Sequence, residues 1–201
     1  MLLSLLNSNY LETIDMGIVK DIREDLANKY NECISKSDVV ISSGGASDGV
    51  EDHTQNALKD IGAKCIVWQL AMKPGKPMSI GLLGKKIIFC LPGNPVAAFV
   101  CTKLLIKPLI IKLAGGVNLN PLSMKLPSGF THNKKTGRAE YLRAKIINEN
   151  AKTFITIHGR KGAGVISSLT GADGIVEIPM EYKSVVKGEL LNFFPFDHRG
   201  L

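Results

Sequence analysis

Three short loops carry the residues of this chain whose types and spacing could do chemistry. They are Ile41-Ser42-Ser43-Gly44-Gly45-Ala46-Ser47-Asp48-Gly49, Met72-Lys73-Pro74-Gly75-Lys76-Pro77 and Leu91-Pro92-Gly93-Asn94-Pro95, and each follows an apolar, strand-like run. In an open α/β sheet, ligands bind at the carboxyl ends of the strands. Loops with little side-chain bulk there let backbone N–H groups approach a phosphate or oxyanion. The pattern reads as an anion site.

Each loop also has a plain structural explanation. Gly44-Gly45 permits backbone angles closed to other residues, while Ser47 or Asp48 can cap the helix that follows, with Glu51 placed as in a capping box. A simple βα turn accounts for this as well as a phosphate cradle does. Asp52 either complements the helix dipole or holds a magnesium ion, which takes one or two carboxylates plus ligand oxygens. His53 beside it reads as a surface residue. In the middle loop the prolines fix φ and Gly75 relaxes it, so Lys73 and Lys76 sit on a stiff, bent segment suited to an oxyanion. Pro-Gly turns near lysines are also common on surfaces. In the third loop Asn94 fits an N-cap and Pro95 the first helical position, which needs no function to explain it. Pro92-Gly93 ahead of them leaves amides pointing outward. Three such loops on one edge favour function over coincidence.

The elements that must position these loops alternate between strand and helix up to about residue 116. Leu2 to Leu6 reads as a helix end, Glu12 to Met16 as a short strand, and Arg23 to Ser35 as an amphipathic helix with Ile22, Leu26, Tyr30 and Cys33 on one face. Val39 to Ile41 is a buried strand, Val50 to Ile61 a helix, Cys65 to Leu70 and Lys86 to Leu91 strands, and a long helix starts at Pro95. This βαβ alternation predicts a parallel sheet covered on both faces. After Gly115-Gly116 the pattern changes to short strands around 123–126, 139–147, 153–157, 174–178 and 189–194. A small β-barrel or sandwich is expected there. The predicted division is 1–117 for the α/β domain and 118–201 for the β domain. Because Met1 stands inside what should be the first helix, the α/β domain is expected to be truncated at its N-terminus.

The chain has 201 residues, of which 45% are apolar, enough for a substantial core. The richest run, Val96 to Ala114, is cut by Lys103, Lys107, Pro108 and Lys112, so no membrane span is expected. Cys33, Cys65, Cys90 and Cys101 form no CxxC pair and read as reduced and buried, as in a cytoplasmic protein. The histidines form no HExxH or Cys/His cluster, which argues against zinc. A net charge of +7 favours an anionic partner. The only local basic cluster, His132 to Arg138, reads as a hairpin turn without interleaved aromatics, so nucleic acid is not expected, and an ordinary solvated surface accounts for most of the excess lysine.

The segments SSGGASDGVEDHT (42–54), AMKPGKPMSIG (71–81), LPGNPVAAF (91–99) and GRAEYLRA (137–144) closely resemble the molybdopterin molybdenumtransferase family, which includes bacterial MoeA and the E domain of gephyrin. Gly162, Ser167-Ser168 and Ala172-Asp173-Gly174 fit that family's C-terminal β domain. The resemblance covers nearly the whole chain. It implies a fold similar to the molybdopterin-binding domain followed by a small β-barrel, and insertion of molybdate into adenylylated molybdopterin with magnesium-dependent release of AMP. By the same resemblance, Gly44, Gly45 and Ser47 contact the pterin or nucleotide phosphates. Asp21 and Asp52 match acidic, magnesium-linked positions. Lys73, Lys76 and Pro77 line the molybdate pocket with Arg138 or Arg143 nearby, and Pro92, Gly93, Asn94 and Pro95 shape its floor. Molybdate is a dianion, so fixed lysines and an arginine suit it, and a magnesium ion can polarise the adenylate phosphoryl group.

The chain departs from the family at Ala97 and Ala163, where the family commonly has Ser, and at Gln69, where some members have Lys. Full-length members have further N-terminal domains, and their dimers place one of these over the partner's active site. A homodimer, or association with a missing N-terminal half, is therefore expected. Two other readings compete. Molybdopterin adenylyltransferase shares the fold, but Ala46-Ser47 and residues 118–201 argue against it. A non-catalytic molybdopterin-binding fragment would bind without turnover.

Overall fold

The computed structural model describes residues 1–45, 53–67, 69–159 and 168–196. The chain divides into two compact units, Met1–Leu70 with Gly75–Leu119, and Ala71–Pro74 with Asn120–Leu201.

In the first unit, α1 (Leu2–Leu6) precedes α2 (Arg23–Lys36). Leu26, Tyr30 and Cys33 recur at four- and three-residue spacing and form the buried stripe of α2. Glu24 and Asp25 in its first turn and Lys36 in its last complement the helix dipole. Ile22, expected on the same stripe, stands before the helix with extended backbone and is half exposed. The strand expected over Glu12 to Met16 does not form. Asp15 instead accepts a hydrogen bond from the Gly17 amide at 2.9 Å, and Gly17 turns the chain with φ +75°.

The sheet of this unit contains β1 (Val39–Ser43), β2 (Lys64–Val67), β4 (Ser79–Leu83) and β5 (Lys86–Leu91); β3 (Met72–Lys73), between them in sequence, belongs to the second unit. Helix α3 (His53–Asp60) joins β1 to β2. The strand order is β1-β5-β4-β2. Among the described residues of this sheet only β1 and β5 are parallel, in register from Val39↔Ile87 to Ser43↔Leu91. The sheet is therefore mixed. Ser79 to Leu83, which carries no strong strand signal, pairs antiparallel with β5 through a tight turn at Gly84, φ +58°. Ile88, Phe89, Cys90 and Leu91 of β5 are fully buried, and Leu26, Tyr30, Cys33, Val40, Ala57, Leu58 and Ala63 share a core cluster with Ile88 and Cys90.

The long helix begins as α4 (Pro95–Cys101), passes through a π-helical turn (Thr102–Ile106) and continues as α5 (Lys107–Leu113). Pro108 has no N–H to donate to the turn before it, which is where the wider π pattern appears. The helix ends in a Schellman motif: the Gly116 amide donates to Ile111 O at 2.8 Å, the Gly115 amide donates to Lys112 O at 3.0 Å, and Gly115 has φ +88°.

The second unit is built on β3, β6 (Met124–Pro127), β7 (His132–Asn133), β8 (Ala139–Glu149), β9 (Lys152–Ile157), β10 (Gly174–Ile178), β11 (Ser184–Val185) and β12 (Leu190–Pro195). Its main sheet runs β3-β8-β10-β12-β6, with β9 also paired to β8. A bridge between Ser128 and Ile155, with the Gly129 amide donating to Ile155 O at 2.8 Å, ties the end of β6 back to β9. β9, β8, β10, β12 and β6 thus follow one another around a small barrel, with β3 added beside the start of β8. Leu142, Ala144 and Ile146 of β8 alternate inward with Ile155, Val176, Ile178, Leu191 and Phe193.

Among the described residues no helix is long and apolar enough to cross a membrane. None of the four cysteines is in a disulfide, and Cys65 is only partly buried where full burial was expected.

Candidate functional site

The parallel pair brings the first and third loops together at its carboxyl end. The Gly44 amide donates to Leu91 O at 3.2 Å, and Ser43 Oγ donates to Pro92 O at 3.2 Å. A Cβ added to Gly93 would stand 3.4 Å from Gly44 Cα, so the two backbones run past each other with no side chain between them. Gly44 and Gly45 have φ of +96° and +69°, the region that favours glycine. Asn94 caps the following helix, its Oδ1 accepting from the amides of Val96 at 3.0 Å and Ala97 at 3.2 Å, and Pro95 occupies the first turn.

Asp21 reaches this same edge from the segment before α2. A Cβ on Gly45 would meet Asp21 Oδ1 at 3.4 Å and Thr54 Oγ1, in the first turn of α3, at 2.9 Å. A carboxylate and a helix beginning therefore flank the glycine pair. Behind them, Tyr30 Oη lies 2.9 Å from Ser42 Oγ and 3.5 Å from Cys90 Sγ. Burial pushes the Tyr30 phenol up, so it stays neutral and pins α2 to β1.

The middle loop is shared in sequence by the two units: Lys73 and Pro74 belong to the second, Gly75, Lys76 and Pro77 to the first. On the first-unit side, the Leu70 amide donates to Lys76 O at 3.0 Å and the Met78 amide to Gly75 O at 3.1 Å, which fixes a turn in front of fully buried Met78. The peptide bond between Lys73 and Pro74 is cis.

On the second-unit side, Lys73 lies directly across from Glu140 in the parallel pairing of β3 with β8. Lys73 Nζ donates to Glu140 Oε1 at 3.0 Å, and His132 Nε2 lies 2.8 Å from Glu140 Oε2. Only 7% of Glu140 is exposed. Burial pushes its carboxyl up, but hydrogen bonds and charge from His132 and Lys73 outweigh this and hold it below the usual value. Glu140 is not among the residues that the sequence motifs mark. Its signal in the sequence is an acidic residue inside the strand segment GRAEYLRA, between Arg138 and Arg143.

Arg138 is exposed, and its carbonyl accepts from Lys134 Nζ at 2.8 Å, closing the basic turn before β8. Arg143 is buried within β8, opposite Ile175 of β10, and burial lowers its pKa. Strand alternation points Arg143 and Tyr141 to one face of β8 and Glu140 to the other. Ser47, Asp48, Glu51, Asp52, Gly162, Ala163 and Ser167 lie outside the described residues. The structure thus assembles Asp21, Gly44, Gly45, Pro92, Gly93, Asn94 and Pro95 in one place, and Lys73 with Glu140 and His132 in another. Among the described residues no group of three His, Cys, Asp or Glu side chains could hold a metal by itself.

An α/β domain with a glycine-lined carboxyl edge, followed by a small β-barrel, defines a class of ligand-binding protein. Residues 1–112 match the family described as "Probable molybdopterin binding domain", and residues 125–196 match "MoeA C-terminal region (domain IV)". The chain belongs to this molybdopterin-binding family, in the MoeA branch that carries the C-terminal region. It is similar to the molybdopterin molybdenumtransferase of Haemophilus influenzae, 32% identical over 196 residues that make up 96% of this chain and 48% of the relative. It is also similar to the Drosophila melanogaster molybdenum cofactor synthesis protein cinnamon, at 34% identity over 71% of this chain and 24% of that protein. Among solved structures, the molybdopterin biosynthesis MoeA protein of Pyrococcus horikoshii superposes with a TM-score of 0.74 at 29% identity, covering 92% of this chain and 44% of that one. The chain spans about half or less of the length of these relatives.

Proposed function

We propose that this chain acts in molybdenum cofactor biosynthesis, as the pterin- and molybdate-binding part of a molybdopterin molybdenumtransferase that inserts molybdate into adenylylated molybdopterin and releases AMP. The observation that carries this reading is the close approach of Gly44 and Gly93 at the ends of β1 and β5, with the Asp21 carboxylate beside Gly45. Bare backbone at that edge lets phosphate oxygens come close to the loop; the Gly44 amide is taken by Leu91 O, so the donors would come from the rest of the glycine loop. Gly44, Gly45 and Ser47 would hold the pterin or nucleotide phosphates, with Pro92 to Pro95 as the floor.

Lys73 and Lys76, with Pro77 between the loop and β4, would hold the molybdate dianion, with Arg138 or Arg143 as a further cation. Fixed charges of this kind stabilise an anion without reorganising during the reaction. Magnesium takes one or two carboxylates together with phosphate oxygens, and Asp21 at the glycine loop fits as one such ligand, with Asp52 as the second candidate. When bound, the ion would supply Lewis-acid polarisation of the adenylate phosphoryl group. Asp21 would orient it, and the glycine-loop amides would keep the phosphate in reach. The competent form would be a homodimer or an association with an N-terminal half.

The test is molybdenum cofactor formation from adenylylated molybdopterin, molybdate and magnesium, with the purified chain alone and with an N-terminal half supplied in trans. Activity in either setting supports the reading. A folded protein that binds molybdopterin in both settings but never turns over refutes it.

A further inference from the structure

Lys73 is placed by strand pairing and by a buried carboxylate, not by the stiffness of its loop alone. It is the second residue of a two-residue strand, β3, and its register partner on β8 is Glu140. Register partners in neighbouring strands point to the same face of the sheet. Glu140 Oε1 accepts from Lys73 Nζ at 3.0 Å, while Oε2 lies 2.8 Å from His132 Nε2 on β7. The carboxylate is therefore held from both ends. Its side chain is 10% exposed against 58% for Lys73, so the anchor is inside and the ammonium outside. An ammonium has three N–H donors. Glu140 takes one of them and leaves the outward ones for a second acceptor.

The geometry points to Glu140 as a positioning residue: it fixes the direction of the Lys73 ammonium so that its outward N–H groups meet an oxyanion, with His132 holding Glu140 in turn. This rests on the oxyanion role proposed above for Lys73, and names the group that makes the lysine rigid. The charge of Glu140 opposes that of an anionic ligand, so its place beside Lys73 is explained by its hold on the lysine and not by contact with the ligand. Its burial, its second partner on β7 and its register position on β8 agree with a supporting role.

The experiment maps acylation of Lys73 by mass spectrometry in the whole 201-residue chain, with and without sodium molybdate, in wild type, Glu140→Gln and Glu140→Asp. Glu140→Gln keeps the shape but loses the charge, and is expected to raise Lys73 acylation about two- to fivefold, the range of a half-exposed ion pair. Glu140→Asp retains the charge, is expected to stay nearer wild type, and guards against a folding defect in the Gln variant. Molybdate is expected to protect Lys73 in wild type and less so in Glu140→Gln. Equal acylation of Lys73 in wild type and Glu140→Gln, in folded proteins, overturns the proposal. If Glu140→Gln raises acylation but molybdate protects Lys73 in none of the three, the positioning stands and the oxyanion reading of Lys73 falls. In a complex that turns over, the Gln variant is expected to raise KM for molybdate with a smaller change in kcat, a split that a purely structural defect would not give.

Discussion

Gly45 has no room for a side chain against Thr54: an added Cβ would lie 2.9 Å from Thr54 Oγ1, and Gly45 itself holds φ at +69°. Gly93 differs, because its Cβ would make an ordinary 3.4 Å contact with Gly44 and its φ is unstrained. Gly45→Ala is therefore expected to destabilise the fold by about 1–2 kcal/mol through left-handed backbone strain alone. Gly93→Ala is expected to change stability by less than about 0.5 kcal/mol while lowering affinity for a phosphate-bearing ligand. Urea unfolding and nucleotide or pterin binding on the same samples would check this. A Gly93→Ala protein that binds like wild type would show that the ligand does not approach the backbone at Gly93.

Asn94 holds two amides of the helix that follows it. Asn94→Ala should cost about 1 kcal/mol, in the usual 0.5–2 range for a lost cap. Asn94→Ser, which keeps an acceptor, should recover most of that in a thermal melt. A melt unchanged by Asn94→Ala would show that the helix start is held by the preceding loop and not by the cap.

Lys73→Ala and Lys76→Ala should each weaken molybdate-dependent cofactor formation in whichever complex is competent, most clearly at limiting molybdate. Lys73→Ala has a second consequence, because it leaves Glu140 with His132 as its remaining partner of the two. Full activity of both variants at limiting molybdate would remove the oxyanion role from this loop.

The Glu140 carboxyl sits below its ordinary value in the folded chain, since the His132 and Lys73 interactions exceed the opposing effect of burial. A depressed carboxyl pKa contributes stability that is fully present above the unfolded value, about 4.3, and is lost as pH falls through the lower folded value. Melting temperature should therefore drop on acidification below about pH 4.3. Glu140→Gln should show a shallower drop over that interval. Parallel curves for the two proteins would mean that Glu140 titrates alike folded and unfolded.

Gly174 begins β10 where a Cβ would stand 2.4 Å from both Phe193 Cζ and Phe194 O. One of those contacts is with backbone, which cannot swing aside. Gly174→Ala is expected to destabilise by about 1–3 kcal/mol, the range for overpacking, as read by denaturant unfolding. A neutral result would show that β12 can shift away from β10 freely.

Much of this architecture is legible in the sequence because it is local. The stripe Leu26, Tyr30, Cys33 on α2, the Asn94-Pro95 helix start, the Gly115-Gly116 stop and the strand segments over 139–147 and 174–178 each follow from propensity and spacing within a few residues. The three glycine and proline loops are visible for the same reason, since glycine and proline restrict or relax the backbone wherever they stand. The sequence alone also carries enough of the motif order to mark the family. Three-dimensional partners decided the rest. The sheet is mixed because Ser79 to Leu83 folds back on β5, a pairing between strands that no single-strand pattern encodes. Asp21 reaches Gly45, and Gly44 meets Gly93, because the parallel register of β1 with β5 sets their carboxyl ends side by side. Glu140 could not be singled out as Lys73's partner because the two are far apart in the chain, and only the pairing of β3 with β8 puts the lysine opposite the one buried carboxylate on that strand. Sequence period determines which face a side chain takes, whereas contact across strands depends on register, and register is a property of the folded whole.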